Sequence, residues 1–349
     1  LPLPSAALAG SQLDTFHPCE ILRLTQLALE GRLRDQLLLI DDLDCVGEAI
    51  DTVLGLGEGR DVLEKLVNAS RRGLFALALA GDLANAPMRW CANISQRLYL
   101  GVCSDALADQ AGLKRSQQAP NQVGAGVLTL ASHWCPAQIL LAPVLPASGA
   151  NLPASGADFP ASAMDTTTAP VVALPEDVPS CPPWALGLGG DQARPWCPQL
   201  SQGLLIIGPA GSGRSTALAR IYDILQVTDP TLAQRAIFID NLDQACLSAT
   251  NAVETALNAG TPVFATALTS RAANTYSGPL AQLRSLSPLL LLAPGLGEGT
   301  QLANVRLTRW LDPHRQHLPG RGIVIASSQI TPVQICQNAS SIFADNPQV

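Results

Sequence analysis

Nine consecutive residues have the types and spacing to hold a phosphate: Gly208, Pro209, Ala210, Gly211, Ser212, Gly213, Arg214, Ser215 and Thr216. Gly208, Gly211 and Gly213 allow backbone angles that turn successive N–H groups inward into an anion nest. Arg214 sets a cation beside the nest, and the Ser215 hydroxyl stands where such a loop places a Mg²⁺ ligand. The apolar run at 204–207 reads as a buried strand, and the residues from Thr216 to Leu225 as an amphipathic helix. The positive end of that helix faces the same anion. The plain alternative is a glycine turn that only joins strand to helix. With strand, loop and helix all in order, the phosphate reading is preferred, and the nine residues are the candidate phosphate-binding set.

A metal carboxylate for such a loop closes a later apolar strand. Asp240, ending AIFID, takes that position, so Ser215 and Asp240 are the expected Mg²⁺ ligands. The alternative is an aspartate that caps the next turn. Two residues depart from the usual pattern. Position 214 is ordinarily lysine, a compact point charge, whereas guanidinium is a wide fork. Arg214 can still hold phosphate but suits a hydrolytic geometry less well. Asn241 follows Asp240 where an acidic base or water-orienting group is usual, and an amide cannot take a proton from attacking water. Asp240 and Asn241 are therefore the candidate catalytic pair, with Asn241 a degenerate base position. Binding with weak hydrolysis is expected, and whether the chain is an ATPase stays open. Thr266, Thr269 and Ser270 end PVFATALTS and are candidate sensors of a γ-phosphate or plain turn residues. Arg271 and Arg321 are candidates to approach a neighbouring subunit's nucleotide.

The first half shows the reverse. LLLIDD ends in an intact acidic pair, Asp41 and Asp42, but no glycine phosphate loop occurs from Leu1 to Gln36. Either that loop lies upstream or this half has none. Asp41 and Asp42 are read equally as the remnant of a metal site or as solvated strand-end carboxylates.

The elements that must position these residues repeat. LLLIDDLD at 37–44 echoes AIFIDNLD at 236–243, and GLFALALAG at 73–81 echoes PVFATALTS at 262–270. VGAGVLTLASHWCPAQIL at 123–140 lies over PGRGIVIASSQITPVQIC at 319–336 without a gap. Three matches in one order point to an internal duplication. Short apolar strands alternating with amphipathic helices imply an α/β three-layer fold, with strands covered on both faces. Between the halves, PVLPASGANLPASGADFPASAMD is too rich in Pro, Ala, Ser and Gly to bury enough apolar area for a fold. The expected organisation is a domain at 1–142 that is truncated or degenerate, a flexible linker at 143–169, and a phosphate-loop domain at 170–349.

The 349 residues are 47% hydrophobic and 14% charged, which suits two packed cores and excludes a disordered chain. The net charge of −7 carries no basic run of the kind that nucleic-acid binding favours. No apolar run approaches the about 18 residues of a membrane helix. The chain begins with Leu and is read as a fragment or processed product. Its nine cysteines show no paired metal spacing and are read as reduced, mostly buried thiols.

GPAGSGRST after an apolar strand, the short span to FIDN, and the late PGRG strand ending in VQI together resemble the FtsK/SpoIIIE family. More narrowly the chain resembles the tandem C-terminal ATPase domains of EccC-type ATPases of type VII secretion. ALPEDVP at 173–179 and LGLGGD at 186–191 look like that family's lead-in to its last ATPase domain. The resemblance implies two RecA-like P-loop three-layer domains in tandem with mainly parallel sheets, and ATP with Mg²⁺ as cofactors. It also implies other ATPase domains or subunits of one motor as partners, and C-terminal peptides of exported proteins as possible cargo. The location it implies is cytoplasmic, at the inner face of the membrane through a region outside this chain. A DNA translocase of the FtsK type, disfavoured by the acidic charge, and a pseudo-ATPase that scaffolds peptides are the alternatives.

Overall fold

A computed structural model of the chain describes residues 11–82, 93–101, 105–110, 112–114, 117–118, 122–130, 133–139, 170–286, 288–312, 314–326 and 329–337. The proposed linker at 143–169 lies outside the described residues. The chain divides into two compact units. One holds the described residues of Leu1–Leu24, Ala49–Leu56 and Thr168–Val349, the other those of Thr25–Glu48 and Gly57–Thr167.

In chain order the first half supplies helix α1 (Pro18–Leu29), strand β1 (Leu37–Ile40), α2 (Leu43–Leu54), α3 (Glu58–Arg71), β2 (Ala76–Leu79), β3 (Gln96–Leu100), α4 (Asp105–Gln110), β4 (Ala125–Leu130) and β5 (His133–Gln138). The second half supplies β6 (Gly187–Gly189), β7 (Arg194–Trp196), β8 (Leu204–Gly208), α5 (Arg214–Thr228), α6 (Pro230–Arg235), β9 (Ile237–Ile239) and α7 (Leu247–Asn258). It continues with β10 (Val263–Leu268), α8 (Thr269–Asn274), α9 (Pro279–Leu286), β11 (Leu289–Leu292), α10 (Leu296–Ala303), β12 (Arg321–Ala326) and β13 (Gln329–Ile335).

The larger unit is built on an eight-stranded sheet in the order β7-β6-β13-β12-β11-β8-β10-β9. Strands β9, β10, β8 and β11 run parallel, and β12, β13, β6 and β7 add antiparallel pairings. The sheet is thus mixed where the sequence suggests a mainly parallel one. Its parallel half is the one that carries the loop from Gly208 to Thr216. Alternation in β8 sends Leu205 and Ile207 to one face and Leu204 and Ile206 to the other. On the first face they meet Val253 and Ala256 of α7, Ala272 of α8, Leu283 of α9 and Leu302 of α10. On the second they meet Leu218, Ile221 and Leu225 of α5 and Leu232 of α6. Helices on both faces make this unit three-layered, and each fully buried Leu or Ile contributes about 1.5–3 kcal/mol. Helix α5 ends at Asp229, whose side chain accepts from Leu232 N at 3.0 Å and starts α6, with Pro230 in its first turn.

The smaller unit contains a parallel pair, β1 with β2, and an antiparallel sheet β3-β4-β5. Its strands are less covered than the continuous apolar runs suggest: Leu37 and Leu39 of β1 are 58% and 49% exposed. The physical reason is width. In the larger unit β8 stands between β10 and β11. The described strands of the smaller unit form separate sheets of only two and three strands, which cover less of each face.

Where the sequence repeats, local geometry repeats. Val127 pairs with Pro136 as Ile323 pairs with Pro332, and Leu100 with Gly126 as Leu292 with Gly322. Gly124 and Gly320 share a left-handed backbone, φ +79° and +76°. Gln138 Nε2 donates to Val123 O at 3.0 Å, and Gln334 Nε2 to Pro319 O at 2.8 Å. Among the described residues the cysteines are free, but Cys45, Cys135 and Cys246 are exposed rather than buried. No helix there is long and apolar enough to cross a membrane.

Candidate functional site

The loop from Gly208 to Thr216 joins the end of β8 to the start of α5, in the centre of the parallel half of the sheet. Gly211 and Gly213 are both left-handed, at φ +79° and +92°, a conformation costly for any residue with a side chain. Gly208 is required for a different reason. A Cβ there would lie 2.3 Å from Ser212 Oγ and 2.8 Å from Leu292 O. Gly213 caps α5 without a side chain, so the first N–H groups of that helix face outward uncapped. Two polar atoms of the loop are buried with no partner, Ser212 Oγ and Arg214 Nη1. Buried polar groups are ordinarily paired, and both of these belong to the loop that would receive a phosphate. The residues present therefore fit the phosphates of a nucleotide, including the arginine in the lysine position.

Ser215 and Asp240 come together as the motif requires. Ser215 Oγ donates to Asp240 Oδ2 at 2.8 Å, across 25 residues of sequence. Asp240 follows β9 and is fixed from behind by Thr266 in β10, whose hydroxyl donates to Asp240 Oδ1 at 2.5 Å. The same Thr266 oxygen accepts from Asn241 N at 2.8 Å, and Asn241 Nδ2 donates to Asp240 Oδ2 at 3.3 Å. Asp240 is thus more than a turn cap. Among the described residues no group of three or more His, Cys, Asp or Glu is placed to hold a metal. One carboxylate and one hydroxyl match Mg²⁺, which completes its shell with water and substrate phosphates.

Several sequence assignments change. Thr266 is fully buried and positions the carboxylate, so it is no sensor of a phosphate. The signal was present, since a hydroxyl stands alone in the apolar run of β10. Thr269 remains a sensor candidate: it is 6% exposed and its Oγ1 has no partner. Asp243, which sequence reasoning missed, accepts from Leu268 N at 3.2 Å and holds the tip of β10 against the turn after β9. Its Oδ2 is buried without a partner. Arg321 cannot reach a neighbouring subunit. It is 5% exposed and its guanidinium bonds Gln334 Oε1, Leu174 O and Pro175 O. Burial lowers its pKa, while Glu20, Asp312 and Glu176 hold the charge from further off. Arg271 is exposed on α8.

Asp41 and Asp42 in the smaller unit are both exposed. Asp42 accepts from Cys45 N at 3.2 Å and caps α2, and those bonds to Cys45 hold its carboxyl below the usual range. Of the two readings of this pair, solvated strand-end carboxylates describes what is seen. Asp42 and Asn241 nonetheless share one backbone state, φ +55° and +54°.

No family model and no curated protein matches the chain. Among solved structures it shares the fold of ATPases 2 and 3 of EccC from Thermomonospora curvata, determined in complex with a signal sequence peptide. The TM-score is 0.50 at 15% identity, covering 92% of this chain and 72% of that one. ATPases 2 and 3 of EssC from Geobacillus thermodenitrificans give a TM-score of 0.48 at 12% identity, covering 91% and 77%. The cytoplasmic domain of the Thermomonospora curvata type VII secretion ATPase EccC gives 0.47 at 13%, covering 93% of this chain and 50% of that chain. At these identities the likeness is one of fold. It agrees with the sequence resemblance to EccC-type ATPase domains.

Proposed function

We propose that this chain is an ATP-binding, weakly hydrolysing module of an FtsK/SpoIIIE-type motor, of the kind that couples nucleotide binding to protein export in type VII secretion. The observation that carries this reading is the Ser215–Asp240 contact at 2.8 Å beside a loop whose Arg214 Nη1 and Ser212 Oγ are buried and unpaired. Gly208 to Thr216 would hold the phosphates, with Ser215 and Asp240 on Mg²⁺. Bound Mg²⁺ supplies charge neutralisation of the phosphates. Arg214 adds a fixed positive charge, Thr266 keeps Asp240 aimed at Ser215, and Asn241 offers a hydrogen bond but no proton acceptor.

On this reading the two halves descend from one duplicated unit, and only the second retains a phosphate loop. The partners are ATP, further ATPase domains or subunits of the same motor, and C-terminal peptides of exported proteins. The EccC relative holding a signal sequence peptide supports the peptide partner by analogy of fold. The site of action is the cytoplasmic face of the membrane. The net charge of −7 speaks against DNA as the translocated polymer.

Titration of the full chain with a fluorescent ATP analogue, with and without Mg²⁺, tests the site. Losing an outer partner of a metal ligand typically costs about 10–100-fold in metal affinity. Thr266→Val should lower the apparent Mg²⁺ affinity by that amount, and Asp240→Ala by at least as much. Nucleotide affinity without Mg²⁺ should change little in either variant. Unaltered Mg²⁺ dependence in Asp240→Ala would remove Asp240 from the metal site.

A further inference from the structure

Two buried arginines are left unexplained by phosphate binding. Arg220 is 7% exposed and Arg321 is 5% exposed. A guanidinium stays charged when buried, and its donors must be matched. Both match theirs to the backbone of one segment that enters the larger unit. Arg321 Nη2 donates to Leu174 O at 3.1 Å and Pro175 O at 2.7 Å. Arg220 Nη2 donates to Pro182 O at 2.7 Å, and its Nε to Ala185 O at 3.1 Å. The segment from 171 to 185 lies in no helix or strand. It is also tied by Val172 N to Asp191 O at 2.7 Å, Gln337 N to Val178 O at 2.9 Å, Ser11 to Val171 and Arg315 to Glu176, and Val171, Leu174 and Val178 are buried.

Neither arginine touches the loop at 208–216, but each is joined to it through the backbone. Arg220 sits on α5, the helix that the loop starts. Arg321 follows Gly320, whose N–H donates to Ser212 O at 2.8 Å. A Cβ on Gly213 would lie 3.4 Å from Gly320 N, so the two backbones are in contact. Gly320 is also gripped from behind: its carbonyl accepts from Ile335 N at 2.9 Å. Gln334 closes the link, accepting from Arg321 Nε at 2.9 Å and donating to Pro319 O at 2.8 Å. The backbone of Ser212 and Gly213 is thus in direct contact with Gly320, the residue before Arg321.

The smaller unit serves as an internal control. It keeps the glutamine bond, Gln138 to Val123 O, so that bond braces the hairpin in both units. At the position of Arg321 it has Ala125, and it has no phosphate loop among its described residues. The arginine is present only where the loop is present.

We propose that residues 171–185 form a strap held by Arg321 and Arg220, and that the nucleotide state of the phosphate loop sets how tightly that strap is held. Both arginines are positioning residues that need not touch ATP. The proposal rests on the nucleotide reading above.

Amide hydrogen exchange of the full chain, followed by mass spectrometry with and without ATP–Mg²⁺, supplies the test. Exchange should slow at 208–216 and also at 171–178, the latter by about fivefold or more, the lower end of usual coupling factors. In Arg321→Met the response at 208–216 should persist and the response at 171–178 should vanish. Protection of the loop with no change at 171–178 in the unmodified chain overturns the coupling and leaves nucleotide binding intact. No protection at either place overturns the nucleotide reading and the coupling with it. If Arg321→Met does not fold, Gln334→Glu tests the same link, because it keeps an acceptor for Arg321 and removes the donor to Pro319. Its response at 171–178 should fall, and an unaltered response overturns the proposal.

Discussion

Replacing Arg214 by Lys and Asn241 by Glu together should raise steady-state phosphate release by about 10²–10⁴-fold, the usual contribution of a positioned base. The unmodified chain should turn over very slowly. Asn241 has a left-handed backbone at φ +54°, so a glutamate there costs about 1–2 kcal/mol of local strain. The backbone bond from Asn241 N to the Thr266 hydroxyl at 2.8 Å does not depend on the side chain and should hold the turn. Lysine at 214 removes the buried, unpaired Nη1 and returns a point charge to the loop. The measurement is phosphate release at saturating ATP and Mg²⁺. An unaltered rate in the double variant would place the cause elsewhere, for example in an arginine that only an assembly supplies. Arg321 is buried and cannot be that arginine, which leaves exposed Arg271 of the two that the sequence singles out. Brisk turnover by the unmodified chain would show that positions 214 and 241 do not limit catalysis.

A second large effect concerns the hairpin that braces the loop. Gly322→Ala should unfold the larger unit or cost about 3 kcal/mol or more, at the top of the overpacking range. The added Cβ would sit 2.1 Å from Leu291 O and 3.0 Å from Leu292 Cα, both backbone atoms of the neighbouring β11. No side chain can turn aside to make room, so β11 and β12 must part. Gly295 is the control. Its φ is −60° and a Cβ there meets nothing within 4 Å, so Gly295→Ala should change stability by no more than about 1 kcal/mol. Urea unfolding of both variants decides it. Equal midpoints for Gly322→Ala and the unmodified chain would mean that the β11–β12 spacing is not as tight as it stands here.

Much of this was legible in the sequence because the loop chemistry is local. Glycine spacing, the flanking apolar strand and a carboxylate at the end of a later strand sufficed to find Ser215 and Asp240, which the fold then brings within 2.8 Å. Strand limits followed from the same local signals, and β12 begins at the PGRG turn as its glycines suggest. What sequence could not give is what depends on distant packing. Thr266 reads as one of several polar residues near a strand end, and only the pairing of β10 with β9 puts it behind Asp240. Arg321 looks like an exposed cation in a glycine turn, and only the path of residues 174–175 buries it. The mixed sheet was hidden for a similar reason. Apolar runs such as LLLL in β11 look alike whether a neighbour runs parallel, as β8 does, or antiparallel, as β12 does. The exposed faces of β1 were also unreadable, because burial depends on how many strands and helices gather around it, and its sheet has only two described strands.

The most direct test of the central claim is the melting temperature of the full chain with and without ATP–Mg²⁺. A ligand that binds only the folded state at 100 times its Kd adds about 2.7 kcal/mol of stability. A phosphate loop that works as a nucleotide site should therefore raise the melting temperature of the larger unit by several degrees, and Asp240→Ala should reduce the rise that Mg²⁺ adds. Identical melting temperatures at millimolar ATP and Mg²⁺ would contradict nucleotide binding at Gly208 to Thr216 and, with it, the assignment of this chain to a nucleotide-driven motor.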